Sequence, residues 1–214
     1  MCALTGEGVH TPPATCPAAS SIGVGGRVQN HPVTRTTYFT ASTLDGYLAD
    51  ENDSLEWLFR QDIDEHGPMN YGDFIADIGA IVMGATTYAW VLEHNASTGE
   101  AWTYDMPAWV VTHRDFADSE HDVRFAAGDV ADLWPAIEES AGGKDVWIVG
   151  GGDLAAQFAQ AGHLDRIVVS IAPVTLGAGR PLFPRRFDLR LVDFARNGAF
   201  LCAEYDVVEP HAQT

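Results

Sequence analysis

The chain has 214 residues, 46% of them hydrophobic and 10% aromatic, which suits one substantial core and, by size, one domain or one domain with a tail. Its formal net charge is −18 with Lys144 as the single lysine, a surface that repels nucleic-acid phosphates and anionic membranes. No apolar run approaches the roughly 18 residues of a membrane span, and the N-terminus lacks the basic and apolar regions of an export signal, so the cytoplasm is the expected compartment.

Residues 1–34 are rich in Pro, Gly, Ser, Thr and Ala and hold no sustained period, which predicts a disordered tail. Folding signals begin at Arg35, and the natural start is expected near Val33; an intact mass that includes residues 1–32 would overturn this. A domain over 35–209 follows. Arg35–Thr43 reads as a β-branched, aromatic strand, Asp45-Gly46 as a turn, and Asp50–Ser54 as a polar loop. Leu55–Phe59 is too short to type. Tyr71–Ile78 reads as a helix stopped by Gly79, and Ala80–Met83 as a strand broken by Gly84. A helix capped by Thr86 or Thr87 then runs to about Leu92. Glu93–Asp105 reads as loop, Ala108–Thr112 as a buried strand, and Val123–Ala126 as a short one. The stripe Val130, Leu133, Trp134, Ile137, Ala141 predicts a helix; since Pro135 fits best in a first turn, its start is expected near Asp132, whose side chain can cap it.

Asp145–Val149 is apolar and β-branched, Gly150, Gly151 and Gly152 follow, and Leu154, Phe158 and Ala161 then recur at helical spacing up to Gly162. This reads as strand, glycine turn, helix. Arg166–Ala172 predicts a strand, Pro173–Phe183 a glycine-rich loop, and Leu189–Phe194 with Phe200–Val208 a hairpin about Asn197-Gly198. Residues 210–214 form a short tail. The order predicts an α/β domain with a mainly parallel sheet closed by an antiparallel hairpin.

Gly150–Ala155 matches G-x-G-x-x-[GA], but a Rossmann domain needs that motif in its first βαβ unit and a carboxylate at the end of the next strand. Here the motif comes last and the next strand ends at Ala172-Pro173, so that reading fails. The physics of a glycine turn opening a helix remains, and it suits a phosphate; such a turn also serves simple helix packing. Gly84-Ala85-Thr86 is a second phosphate-sized helix start. His113 and Arg114, after a strand, could meet a 2′-phosphate, and Arg180, Arg185 and Arg186 are further local cations. No GxSxG or Walker motif anchors hydrolase or NTPase chemistry. Three cysteines without a CxxC pair and eight histidines without ligand spacing argue against a metal site.

Taken together, Ser42–Asp50 (STLDGYLAD), Glu56-Trp57, Val82–Tyr88, Val110–Arg114, Val146–Leu154 and Ala172–Phe183 resemble, in order, the dihydrofolate reductase superfamily, in the branch of the riboflavin-biosynthesis reductase (RibD C-terminal) domain. The resemblance implies a dihydrofolate-reductase-like three-layer α/β fold and an NADPH-dependent reductase of a small planar, pteridine- or pyrimidine-like substrate. It implies that Gly84, Ala85 and Thr86 meet cofactor phosphates, that Thr112, His113 and Arg114 hold the adenosine ribose phosphate, and that Val149, Gly150, Gly151, Gly152, Asp153 and Leu154 line the pyrophosphate and nicotinamide. Ala41 and Asp45 to Leu48, Tyr47 included, would border nicotinamide and substrate. Two departures stand out: Asp153 sets a carboxylate beside the phosphate, and the proton donor has no firm counterpart. Glu56 is the first candidate for it, with Asp45 and Asp53 behind, and Trp57 could stack on the substrate. The resemblance leaves open the ribosylaminopyrimidine reductase of riboflavin biosynthesis, for which Arg180 would be needed, and a nucleotide-binding protein without catalysis. The resemblance also leaves open a homodimer, which the sequence does not decide.

Overall fold

Side-chain alternation gives the central sheet two apolar faces. In β1 (Thr36–Thr43) Tyr38 points to one face and Phe39 to the other. In β3 (Ile78–Gly84) Ala80 and Val82 oppose Ile81 and Met83, and in β6 (Asp145–Gly150) Val146 and Ile148 oppose Trp147 and Val149. Strands apolar on both faces must be covered on both, and helices do this. Ile137 of α4 (Val130–Ser140) and Leu154 and Phe158 of α5 (Gly152–Gln160) pack on the face of Tyr38. Phe74 and Ile75 of α2 (Tyr71–Ala76) and Tyr88 of α3 (Ala85–Thr98) pack on the other. The result is three layers.

The computed structural model describes residues 34–117 and 119–208; the expected start near Val33, the N-terminal tail before Thr34, Cys2, Cys16 and the tail 210–214 lie outside the described residues. The remaining strands are β2 (Tyr47–Ala49), β4 (Ala108–Val111), β5 (Val123–Ala126), β7 (Arg166–Ala172), β8 (Arg180–Pro181), β9 (Leu189–Asn197) and β10 (Phe200–Val207), and α1 spans Glu56–Phe59. The large sheet runs β5-β4-β3-β6-β1-β7-β10-β9. Its pairs from β5 to β7 are parallel, and β10 is antiparallel to both β7 and β9. β2 and β8 form a separate antiparallel pair, Tyr47 opposite Pro181 and Ala49 opposite Arg180.

The expected sheet and hairpin are present; several boundaries differ, each for a local reason. Gly79 does not stop a helix. It lies inside β3, where a Cβ would stand 2.0 Å from the carbonyl oxygen of Ala141, so the glycine admits the end of α4 against the strand. The N-cap of α3 is Gly84, not Thr86 or Thr87, and the helix runs past Leu92 to Thr98, where left-handed Gly99 donates its N–H to Asn95 O. Polar residues continue that helix, so apolar periodicity did not reveal its second half. α4 starts at Val130, because the Asp129 carboxylate, rather than that of Asp132, accepts the Ala131 N–H at 2.9 Å; Pro135 therefore falls in the second turn. The hairpin turn is Gly198-Ala199, and Asn197 belongs to β9 opposite Phe200. The buried Asn197 amide accepts from Asp64 N at 2.9 Å and donates to the carbonyls of Asp64 and Pro68 at 3.1 Å, fastening the 62–68 loop to the hairpin.

Candidate active site

β3 and β6 are parallel neighbours whose chains leave in opposite directions, β3 through α3 to β4 and β6 through α5 to β7 on the far side of β1. Right-handed crossovers in opposite directions put the two helices on opposite faces and open a crevice beyond the carboxyl ends of the strands, where α/β folds bind ligands. A cleft of about 1030 Å³ lies here.

Two helix N-termini meet at it. Gly84 caps α3 and Gly151 caps α5, and neither offers a side-chain hydrogen bond, so no capping side chain claims the first-turn N–H groups of either helix. A Cβ on Gly84 or Gly151 would meet nothing within 4 Å, which leaves the backbone open to an approaching ligand. Gly152 answers to a different constraint: a Cβ there would lie 2.3 Å from Leu182 O, so its absence lets the backbone at Pro181 and Leu182, at the end of β8, pack on α5. The Gly150–Gly151 peptide is cis. At the end of β4, Thr112 Oγ1 accepts the Arg114 N–H at 2.8 Å and turns the chain along the cleft.

The lining includes all fourteen residues expected at the cofactor: Ala41, Leu48, Gly84, Ala85, Thr86, Thr112, His113, Arg114, Val149, Gly150, Gly151, Gly152, Asp153 and Leu154. Arg180 and Asp53 join them there. Asp153 does not stand as a bare charge facing the crevice. Its carboxylate accepts from Gln157 Nε2 at 2.8 Å and from Arg185 Nη2 at 2.9 Å, and these bonds hold its pKa below the usual carboxylate range. Arg180 is likewise matched, gripping both oxygens of Asp53 at 2.6 and 3.0 Å. Asp53 holds a left-handed φ of 61°, rare for a residue with a Cβ, and this fork fixes it there.

Four residues expected at the chemistry are not in the lining. Glu56 is exposed at the surface, paired with Arg60 at 2.7 Å one helical turn on. Trp57 is buried, its Nε1 donating to Leu48 O at 3.2 Å and its ring packed with Ala172, Phe200 and Cys202; it is core. Asp45 accepts the hydroxyl of Thr43 and the N–H groups of Leu176 and Gly177 at 2.6, 3.0 and 2.7 Å, so its pKa is lowered and it pins the 174–177 loop to the β1–β2 turn. Tyr47 belongs to the β2–β8 pair beside Pro181. In their place the cleft takes Asn52, Leu55 and Leu58 around α1, and Trp90 and Glu93 from α3. Trp90 and Glu93 follow Thr86 at i+4 and i+7, the same helical face; Trp90 falls within the helix expected to Leu92, and Glu93 lies just past that end.

The cleft is electrically lopsided. The Arg180–Asp53 and Asp153–Arg185 pairs cancel, leaving Arg114 at the end of β4 and Glu93 on α3 as the lining charges without an ion pair among the described residues. Among those residues no group of three or more His, Cys, Asp or Glu is arranged to hold a metal ion.

A three-layer fold with a mainly parallel sheet, an antiparallel C-terminal hairpin and a cleft at this switch point defines the dihydrofolate-reductase-like α/β class. Within that class the chain belongs to the RibD C-terminal domain family, whose model matches residues 35–198. It is similar to the uncharacterized protein YwjB of Bacillus subtilis, 29% identical over 150 residues that cover 70% of this chain and 82% of the relative. Among solved structures, a protein of Shewanella sp. PV-4 assigned to riboflavin biosynthesis superposes with a TM-score of 0.70 at 22% identity, covering 82% of this chain and 99% of that one. Dihydrofolate reductase of Enterococcus faecalis, in complex with NADP(H), superposes with a TM-score of 0.51 at 14% identity, covering 81% and 96%. These structures share the fold.

Proposed function

We propose that the protein is an NADPH-dependent reductase that passes a hydride to a small planar heterocycle. The observation that carries the reading is the convergence of two uncapped helix N-termini, from adjacent parallel strands, on one cleft that also holds the Thr112–Arg114 turn. These groups fit a dinucleotide: N–H groups of α3 and α5 for the pyrophosphate oxygens, and Arg114 for a phosphate on the adenosine ribose, which favours NADPH over NADH. Membership of a family whose relatives include riboflavin-biosynthesis proteins, and a shared fold with a reductase bound to NADP(H), support the same reading.

When bound, the cofactor supplies the hydride. The chain supplies the rest. Gly84 and Gly151 let the backbone approach the phosphates, Ala41 and Leu48 give the lining an apolar stretch, and Asp153 is tied to Arg185. Proton delivery needs an acid or an ordered water at the substrate. Of Glu56, Asp45 and Asp53 only Asp53 lines the cleft, and because Arg180 holds both its oxygens as a carboxylate, a water that it orients, rather than its own proton, takes that role. Titration with NADPH and NADH, followed by tryptophan fluorescence, and then oxidation of NADPH across pterins, pyrimidines and quinones tests the proposal. Tighter binding of NADPH and turnover of one planar acceptor are expected; absence of nucleotide binding at millimolar concentration overturns it.

A second reading, the phosphoribosyl-bearing pyrimidine reduction of riboflavin biosynthesis, is favoured by the family match and by Arg180 at the cleft, but that side chain would have to leave Asp53 to meet a phosphate. The proposal includes cytoplasmic action, which cell fractionation checks, and self-association. A homodimer forms, on this reading, through the outer strands. Leu189, Leu191, Phe194 and Leu201 share one face of β9 and β10 and are 42–65% exposed, with Arg190, Asp193 and Arg196 of both signs beside them.

A further inference from the structure

The outer half of the cleft has a chemistry of its own. From Ala85 at the N-terminus of α3, Trp90 lies about 7.5 Å along the axis and Glu93 about 12 Å, at about 1.5 Å per residue, well past the turn that would hold phosphate. The Trp90 ring lies nearly parallel to that of His94 at 4.7 Å and to Phe59 of α1 at 6.4 Å, and His94 lies parallel to Phe59 at 5.6 Å. Three flat groups at 12–16° to one another lock Trp90 in one orientation while it still lines the cleft. A ring fixed this way loses little freedom on binding, which is what a stacking platform requires.

Glu93, three residues on from Trp90 in the same helix, has no ion pair among the described residues. Of the two arginines in the cleft lining, Arg180 is already matched to Asp53 and Arg114 stands at the end of β4, where the adenosine ribose phosphate is proposed to lie. A chain at −18 adds no cationic background. An incoming phosphate or carboxylate would meet Glu93 and would have to part Arg180 from Asp53. A cationic or amino-bearing ring would instead stack on Trp90 and donate to Glu93.

We propose that Trp90, backed by His94 and Phe59, is the substrate platform, and that with Glu93 it selects a planar basic or uncharged heteroaromatic compound bearing no phosphate or carboxylate. This rests on the reductase reading for the meaning of the site, but its test does not need turnover. Two bicyclic probes of equal size are titrated against the full chain, 4-aminoquinoline and quinoline-4-carboxylate, with binding followed by calorimetry in the presence and absence of NADPH. The amino probe is expected to bind and the carboxylate to bind at least tenfold more weakly. Trp90→Leu should weaken the amino probe about twofold to tenfold, the range of a lost aromatic stack, and Trp90→Phe should restore most of it. Glu93→Gln should narrow the gap between the two probes. NADPH affinity and the thermal midpoint should stay unchanged in Trp90→Phe and Glu93→Gln, which separates loss of the platform from loss of the fold. Equal or tighter binding of the carboxylate, or an amino probe indifferent to Trp90→Leu, overturns the proposal. Failure of NADPH to bind the wild-type chain while the probe pattern holds would instead remove the reductase reading and leave the platform.

Discussion

At the scale of single residues, glycines that look alike in the sequence do different work. Gly84 opens on the cleft and Gly152 faces a carbonyl 2.3 Å from where its Cβ would be. Gly84→Ala should therefore leave stability within about 0.5 kcal/mol and weaken NADPH, whereas Gly152→Ala should cost on the order of 2 kcal/mol by overpacking. Urea denaturation and nucleotide titration of the two variants check the split. Asp45 shows the same division between appearance and task. Its lowered pKa means that the folded state favours the carboxylate, so its contribution is present above the ordinary aspartate range and is lost as the pH falls through the folded value. Thermal midpoints should fall more steeply below about pH 4 for the wild-type chain than for Asp45→Asn, and a parallel fall in both would show that the bonds to Leu176 and Gly177 do not hold the loop.

At the scale of elements, the hairpin is a clamp as well as an edge. Asn197 and the Ala199 N–H hold Asp62, Asp64 and Pro68, so the turn of the last two strands organises the segment between α1 and α2. Asn197→Ala leaves buried partners unpaired and should cost about 2 kcal/mol or more, read as a lower urea midpoint. α4 carries the opposite kind of feature. Pro135 in its second turn cannot donate to the carbonyl of Ala131, and Pro135→Ala should raise stability by about 1–3 kcal/mol. No gain in the urea midpoint would mean that ring packing against the core offsets the missing bond.

At the scale of the whole molecule, helices cover both faces of the sheet at its centre but not at β9, where the apolar residues Leu189, Leu191 and Phe194 meet solvent. Sedimentation should find a dimer for the wild-type chain and a monomer for Phe194→Asp, with the thermal midpoint of the isolated fold little changed because that ring is 65% exposed. A monomeric wild type removes the homodimer. The cleft, by contrast, depends on the whole topology, since its two helix ends belong to strands that are neighbours in space and more than 60 residues apart in the chain.

The sequence by itself determined the α/β class, the glycine turns and the residues that could open a helix onto a phosphate. These rest on local rules: period, β-branching, and glycine where backbone must be bare. It also carried the family resemblance, through six short motifs in order. Only the tertiary structure decided which side chains share the cleft. Trp57 and Trp90, or Glu56 and Glu93, are equivalent by type and neighbourhood in the sequence. Packing of α1 on β2 turned Trp57 into the core and Glu56 to solvent, while the length of α3 carried Trp90 and Glu93 along the cleft wall. Orientation is set by contacts between elements distant in the chain, and no local pattern encodes it.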